Sequence, residues 1–207
     1  MTSGSAIKRA RQETPAQVHD GPTAFERRRR LIIGGSWVAA VVVAIALITA
    51  ALLSARPAQS EDVRVAPDFT LQDSDGGSVT LSALRGAPVL LYFSEGAGCQ
   101  SCIVQMQKIE EEPGFAAAGI TVLPIVMDPA EYINQAREAL GVTTPFLLDD
   151  GTVSDQYGTL GTGMHAGLPG HGFVLVDAEG NQVWKGDYPS MWIAPADLLT
   201  LVQDKLA

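Results

Sequence analysis

Val89-Leu90-Leu91-Tyr92-Phe93, then Ser94-Glu95-Gly96-Ala97-Gly98, then Cys99-Gln100-Ser101-Cys102 is the stretch on which the fold of this chain turns. The first five residues are a short continuous apolar run, the pattern of a strand buried on both faces. Beyond the glycine-bearing loop, Cys102, Ile103, Met106 and Ile109 share one helical face, which predicts a helix starting at the cysteines and stopped by Pro113-Gly114. The cysteines therefore stand at a strand-to-helix junction, where unpaired backbone N–H groups and the helix dipole favour negative charge. Cys99, in the first turn, is expected to be the more exposed sulfur and to have its thiolate stabilised. Cys102, one turn inward, can attack a mixed disulfide formed at Cys99. These are the only two cysteines. A disulfide closing so short a loop removes little chain entropy, and two sulfurs cannot build a four-sulfur zinc site. The pair asks for a chemical role more than a structural one.

Working outward, the elements alternate. Phe69–Leu71 and Ser78–Leu81 flank Asp73-Ser74-Asp75-Gly76-Gly77 and read as a β-hairpin. Residues 120–126 form a second buried strand, 129–140 a helix with Pro129 in its first turn, and 146–148 a short strand before a helical segment at 153–160. Phe173–Val176 and Gln182–Lys185 make another hairpin around Asp177-Ala178-Glu179-Gly180, and 194–206 closes as a helix. Strands interleaved with helices, then a hairpin and a final helix, indicate an α/β domain with a sheet of mixed direction.

The N-terminal quarter is of a different kind. Residues 1–30 are polar, hold seven basic side chains against three acids, and read as a disordered tail. Arg27-Arg28-Arg29-Arg30 abuts residues 31–54, which carry no charge. At about 1.5 Å per residue that block reaches across a bilayer core. The basic cluster predicts a cytoplasmic N-terminus, a single-pass membrane helix, and everything after it outside the cytoplasm. A cleaved signal peptide is the competing reading, with a shorter apolar core and a small-residue cleavage site. Residues 55–65 are expected as a linker and 66–207 as the domain. From residue 61 onward there are 20 acids and 6 bases; that surface disfavours nucleic acid.

The motifs resemble a family. Ala66-Pro67-Asp68-Phe69-Thr70-Leu71, with Asp75-Gly76-Gly77 and Val79-Thr80-Leu81-Ser82, looks like the entry hairpin of the redoxins. That group joins the alkyl hydroperoxide reductase and thiol-specific antioxidant (AhpC/TSA) proteins to the membrane-anchored thioredoxin-like oxidoreductases of bacteria. Leu84-Arg85-Gly86, the apolar strand, the CxxC and the 173–180 hairpin continue the match, over about residues 63–207. The resemblance implies a thioredoxin-like fold, thiol–disulfide exchange with protein thiols and disulfides, no bound cofactor, and electrons from a membrane thiol carrier. It implies Cys99 and Cys102 as the catalytic pair.

The departures from the pattern matter too. Gly98 stands where the family usually has tryptophan, and Gln100-Ser101 fills the CxxC. The peroxidase branch uses Pro-x-x-x-Thr/Ser-x-x-Cys; here Gly96 and Tyr92 occupy the hydroxyl and proline positions. Thioredoxin-like proteins also face their CxxC with a cis-proline. Pro169 is near that place and His171 occupies it, so either Pro169 shapes a substrate groove or His171 faces the sulfurs and moves protons. Glu95 is a proton acceptor for exchange or an exposed loop carboxylate. A thiol peroxidase is the alternative function, and a copper-binding chaperone built on Cys99, Cys102, His165 and His171 the second; copper chaperones of this fold, however, place three residues between their cysteines. Glu110-Glu111-Glu112 reads as a solvated helix end, and Trp184, Tyr188 and Trp192 as packing residues.

Overall fold

The computed structural model describes residues 24–54, 56–161 and 166–207, without the side chains of 26, 27, 30 and 31. Two compact units are resolved, divided near Ala50. The first is dominated by helix α1 (Ala24–Ser54), whose described side chains are exposed all round. Residues 24–30, expected in the disordered tail, belong to this helix. Arginine is a good helix former, and the run simply extends the apolar segment by two turns. Ile32–Ser54 is long and apolar enough to cross a membrane. Residues 1–23, the rest of the expected tail, lie outside the described residues.

The second unit is a mixed α/β fold. In chain order it comprises β1 (Ala58–Ser60), β2 (Arg64–Val65), β3 (Thr70–Asp73), β4 (Ser78–Thr80), β5 (Val89–Phe93), α2 (Gln100–Glu110), α3 (Pro113–Ala117), β6 (Thr121–Val126), α4 (Ala130–Ala139), β7 (Leu147–Leu148), α5 (Thr152–Gln156), β8 (Gly172–Val176), β9 (Asn181–Asp187) and α6 (Pro195–Leu206). The sheet runs β1-β9-β8-β5-β6-β7-β3-β4, with β2 also on β9. β5, β6 and β7 are parallel, while β8 runs antiparallel to β5.

All five residues of β5 are buried, as a continuous apolar run requires. Its side chains alternate between two cores. Leu90 and Tyr92 join Ile103, Met106, Phe173, Leu175, Trp184 and Leu198 on one face. Val89, Leu91 and Phe93 join Phe69, Ile125, Leu147, Val174 and Tyr157 on the other. Each large side chain so removed from water contributes roughly 1.5–3 kcal/mol, which makes β5 the fixed reference for whatever follows it.

Two further differences from the sequence reading have local causes. The segment 55–65, expected as a linker, supplies β1 and β2, which pair with β9 at Ala58↔Asp187 and Arg64↔Gln182. The outer edge of β9 has backbone groups to satisfy, and the Arg64 guanidinium adds bonds to Gln182 Oε1 (3.2 Å) and the Gln156 carbonyl (3.1 Å). Pro113 also opens a helix instead of only ending one. It sits in the first turn of α3, where its missing N–H costs nothing, and the Glu112 carboxylate caps Gly114 N–H at 3.1 Å.

Candidate active site

β5 delivers the chain to the site as one rigid element. After Phe93 the backbone makes a tight 3-10 turn at Gly96–Gly98, and Cys99 follows as the N-cap of α2. Gly96 has φ +74°, and a Cβ there would overlap the Asp128 carboxylate. That carboxylate accepts the Ala97 N–H at 2.8 Å, and the Cys99 N–H closes the turn on the Gly96 carbonyl at 3.0 Å. Glycine is therefore required twice, by backbone conformation and by close approach. Position 96 is the one where a hydroxyl would stand in the peroxidase pattern.

Cys99 and Cys102 are joined by a disulfide, with Cα atoms 5.3 Å apart. Cys99 is partly exposed, whereas Cys102 is 0% exposed. The Cys102 N–H donates to the Cys99 carbonyl at 3.0 Å and to Cys99 Sγ at 3.3 Å. An N–H aimed at that sulfur supports negative charge on it, alongside the other free N–H groups of the helix start.

Behind Cys102 lies a buried polar pair. The Tyr92 hydroxyl donates to the Cys102 carbonyl at 3.0 Å and lies 3.2 Å from His171 Nδ1. The Tyr92 ring stacks on Phe173 at 4.7 Å and meets His171 edge-on. Burial pushes the Tyr92 hydroxyl well above 10, with the Ser94 side chain acting the other way, so it stays a donor. Burial pulls the His171 imidazole from 6.5 to about 4, so it is neutral at pH 7. With the tyrosine proton on the Cys102 carbonyl, donor accounting puts the imidazole proton on Nδ1 and leaves Nε2 as an acceptor. Nε2 has no partner among the described residues although His171 is only 3% exposed, and the buried Tyr188 hydroxyl is in the same state. Both residues line a cleft of about 330 Å³, together with Glu95, Thr159, Asp187 and Met191.

The expected residues therefore separate. His171 reaches the CxxC helix through Tyr92, and Glu95 shares the cleft with it. Pro169 is in trans, like every described peptide bond; it pairs in an isolated bridge with Leu160, which lines the cleft, but does not line the cleft itself. His165 lies outside the described residues, and among the described residues no three metal-ligating side chains converge. Glu110, Glu111 and Glu112 are not merely solvated. They accept from Thr143 N–H (3.0 Å), pair with Lys108 (2.5 Å) and cap α3, respectively. Of the three aromatics read as packing, Trp184 and Tyr188 are buried while Trp192 is exposed.

Tyr92 and Asp128, which bond to the CxxC helix and to the turn before it, are not singled out by the sequence. Tyr92 reads as one more apolar strand residue, and a phenol inside a fully buried run was the available signal, since buried hydroxyls need partners. Asp128 reads as a residue ahead of the next helix, and nothing local links it to position 97.

Comparison with known proteins gives a consistent set of similarities. The family model described as "AhpC/TSA family" matches residues 64–184. Peroxiredoxin Bcp of Escherichia coli (strain K12) is 32% identical over 122 residues, covering 56% of this chain and 78% of that protein. The crystal structure of peroxidoxin BcpB from Mycobacterium tuberculosis superposes with a TM-score of 0.59 at 22% identity, covering 71% of this chain and 98% of that one. A secreted Mycobacterium tuberculosis disulfide oxidoreductase, homologous to E. coli DsbE, superposes with a TM-score of 0.52 at 19% identity, over 66% of this chain and 95% of that one. These two likenesses establish the thioredoxin-like fold.

Proposed function

We propose, because this chain belongs to the AhpC/TSA family and is a thiol-based oxidoreductase, that its Cys99–Cys102 pair exchanges disulfides with protein partners outside the cytoplasm. The observation that carries this is the unequal pair at the β5–α2 junction: a partly exposed Cys99 Sγ facing an N–H, and a fully buried Cys102. In the reducing direction the Cys99 thiolate attacks one sulfur of a partner disulfide. One partner sulfur leaves as a thiolate and takes up a proton, and a mixed disulfide remains. Cys102 then loses its proton and attacks Cys99 Sγ, releasing the second partner thiol. Two electrons have passed from the pair to the partner, and the chain is left with its own Cys99–Cys102 disulfide. A membrane dithiol carrier restores the reduced pair by the same chemistry in reverse.

The proposed location rests on reading α1 as a membrane span. With Ile32–Ser54 as an uncleaved span and Arg27 to Arg30 on the cytoplasmic side, residues after Ser54 lie outside. Protease added to intact cells or spheroplasts should then remove residues 66–207 and spare the N-terminal tail; protection of the domain would reverse the topology.

The test of exchange is Cys102→Ser, which removes the resolving thiol and should accumulate mixed disulfides at Cys99 with partner proteins. A variant that captures none, in a protein whose pair never cycles, ends the proposal. A second reading, reduction of hydroperoxides, is favoured by the likeness to peroxiredoxin Bcp. There Cys99 would take the distal oxygen of ROOH as a sulfenic acid, releasing ROH, and Cys102 would condense with it to the disulfide and water. Gly96 and Tyr92 weigh against it, since neither supplies the threonine or proline of the peroxidase loop. Hydroperoxide consumption with a dithiol reductant, faster than disulfide reduction under the same conditions, would make the peroxidase reading the correct one.

A further inference from the structure

We infer that the groove between the start of α2 and the loop after β9 is where the exchange partner docks, and that it takes an aromatic or aliphatic side chain flanking that partner's reacting cysteine. The inference deepens the exchange reading and rests on it.

The groove, of about 370 Å³, is lined by Gln100, Ser101, Val104, Ser190, Met191 and Trp192. Its composition is unlike that of the surface around it. None of these residues is charged, in a domain with 20 acids and 6 bases from residue 61 onward. Trp192 is 42% exposed there. An indole held at the surface offers a partner a large, stiff apolar area with little side-chain entropy to lose. Beyond Trp192 the charges resume: Lys108, Glu111 and Glu112 line a separate hollow that shares only Trp192 with the groove. An apolar centre rimmed by charge is the build of a protein interface.

One wall of the groove is fixed in advance. Met191, at φ +57°, is the only non-glycine residue with positive φ among the described residues, an unfavourable backbone for a long side chain. Three bonds hold its loop. Tyr188 N–H donates to the His171 carbonyl at 2.7 Å, Met191 N–H to the Tyr188 carbonyl at 2.9 Å, and Ile193 N–H to Gln105 Oε1 at 2.9 Å. Gln105 is buried on α2, about one turn past Cys102, so the helix that carries the cysteines also anchors the loop across from it. Strained backbone that its surroundings hold in place is characteristic of ligand-contacting segments.

Position names the occupant. Gln100 and Ser101 are the residues between the cysteines, and Cys99 is the partly exposed sulfur. A polypeptide joined to Cys99 in the mixed disulfide brings the residues flanking its own cysteine alongside Gln100 and Ser101, and so to the groove. This groove is separate from the cleft at His171, with which it shares Met191 alone. An apolar flanking side chain leaves water against Val104, Met191 and Trp192. A carboxylate there would be desolvated with no cation in the lining to meet it.

The test uses the reduced full-length protein in phospholipid nanodiscs and three cystine peptides. They are identical except at the two residues flanking the cysteine, which are both Phe, both Gln or both Glu. The expected order of kcat/KM is Phe over Gln by at least about tenfold, and Gln over Glu, carried by KM. The Phe:Gln ratio compares two uncharged peptides and should persist at about 0.5 M salt. It should fall toward one in Trp192→Ser and in Met191→Gly, the second of which keeps the positive φ without strain. Each is read as a ratio within the variant, so a general loss of activity does not register. Equal rates for the three peptides, or a Phe:Gln ratio that stays at the wild-type value in either variant, would overturn the groove and leave exchange intact. Failure to reduce any of the peptides would instead remove the exchange reading, and the groove with it.

Discussion

Two walls flank the cysteine pair, and they are built on opposite plans. The wall made by Gly96–Gly98 and Asp128 is closed: the Ala97 and Cys99 N–H groups have acceptors, and the space a side chain would take at 96 is filled by carboxylate. The wall made by His171 and Tyr188 is open, with two buried polar atoms facing a cleft. A closed wall fixes where the attacking sulfur stands. An open one leaves polar atoms that no described residue meets. The difference separates a turn whose backbone groups are all met from a cleft whose buried polar atoms are not, so each can be changed without the other.

The largest effect is expected on the closed wall. Gly96→Ala should destabilise the domain by about 3 kcal/mol or more, from the positive φ and the clash with Asp128. Pairing it with Asp128→Gly should recover part of that loss, and a denaturant-midpoint double-mutant cycle measures the coupling. No coupling would mean that backbone strain alone makes glycine necessary.

On the open wall, His171 should make stability depend on pH. Its folded value of about 4 lies below the 6.5 of the unfolded chain, so the unfolded state binds the extra proton between them. Stability is then complete above about pH 6.5 and declines as pH falls toward 4, by up to about 3 kcal/mol. Unfolding curves across that range should show the slope, and His171→Asn should flatten it.

Tyr92→Phe links the two walls. It keeps the stack on Phe173 but leaves the Cys102 carbonyl and His171 Nδ1 without their donor and partner. We expect a loss of about 1–2 kcal/mol and a shifted reduction potential for the pair, read by equilibration with a glutathione buffer. The smallest effect is expected for Asp128→Asn, which can still accept from Ala97 N–H; about 1 kcal/mol or less should be lost, from the weaker uncharged bond.

Much of this arrangement was legible in the chain. The run Val89–Phe93 could only be a doubly buried strand, and the cysteines directly after it had to meet a helix N-terminus. What was not legible depended on contacts distant in sequence. Ala58–Ser60 and Arg64–Val65 have no strand pattern of their own; they become strands because β9 offers an unpaired edge. Tyr92 looks like core until His171, 79 residues later, is placed against its hydroxyl. Asp128 looks like a helix approach until the turn at 97 comes within reach, 31 residues earlier.

The N-terminal pairing has a mechanical consequence. Tension entering the domain through its N-terminal end arrives first at β1, a three-residue strand on the periphery of the sheet, and not at β5. β1 and β2 would peel from β9 one hydrogen bond at a time, as a zipper does, before any load reached the central strands. Peeling of that kind would leave the register of β5 against β6 and β8, and with it the geometry of the sulfurs, unstretched.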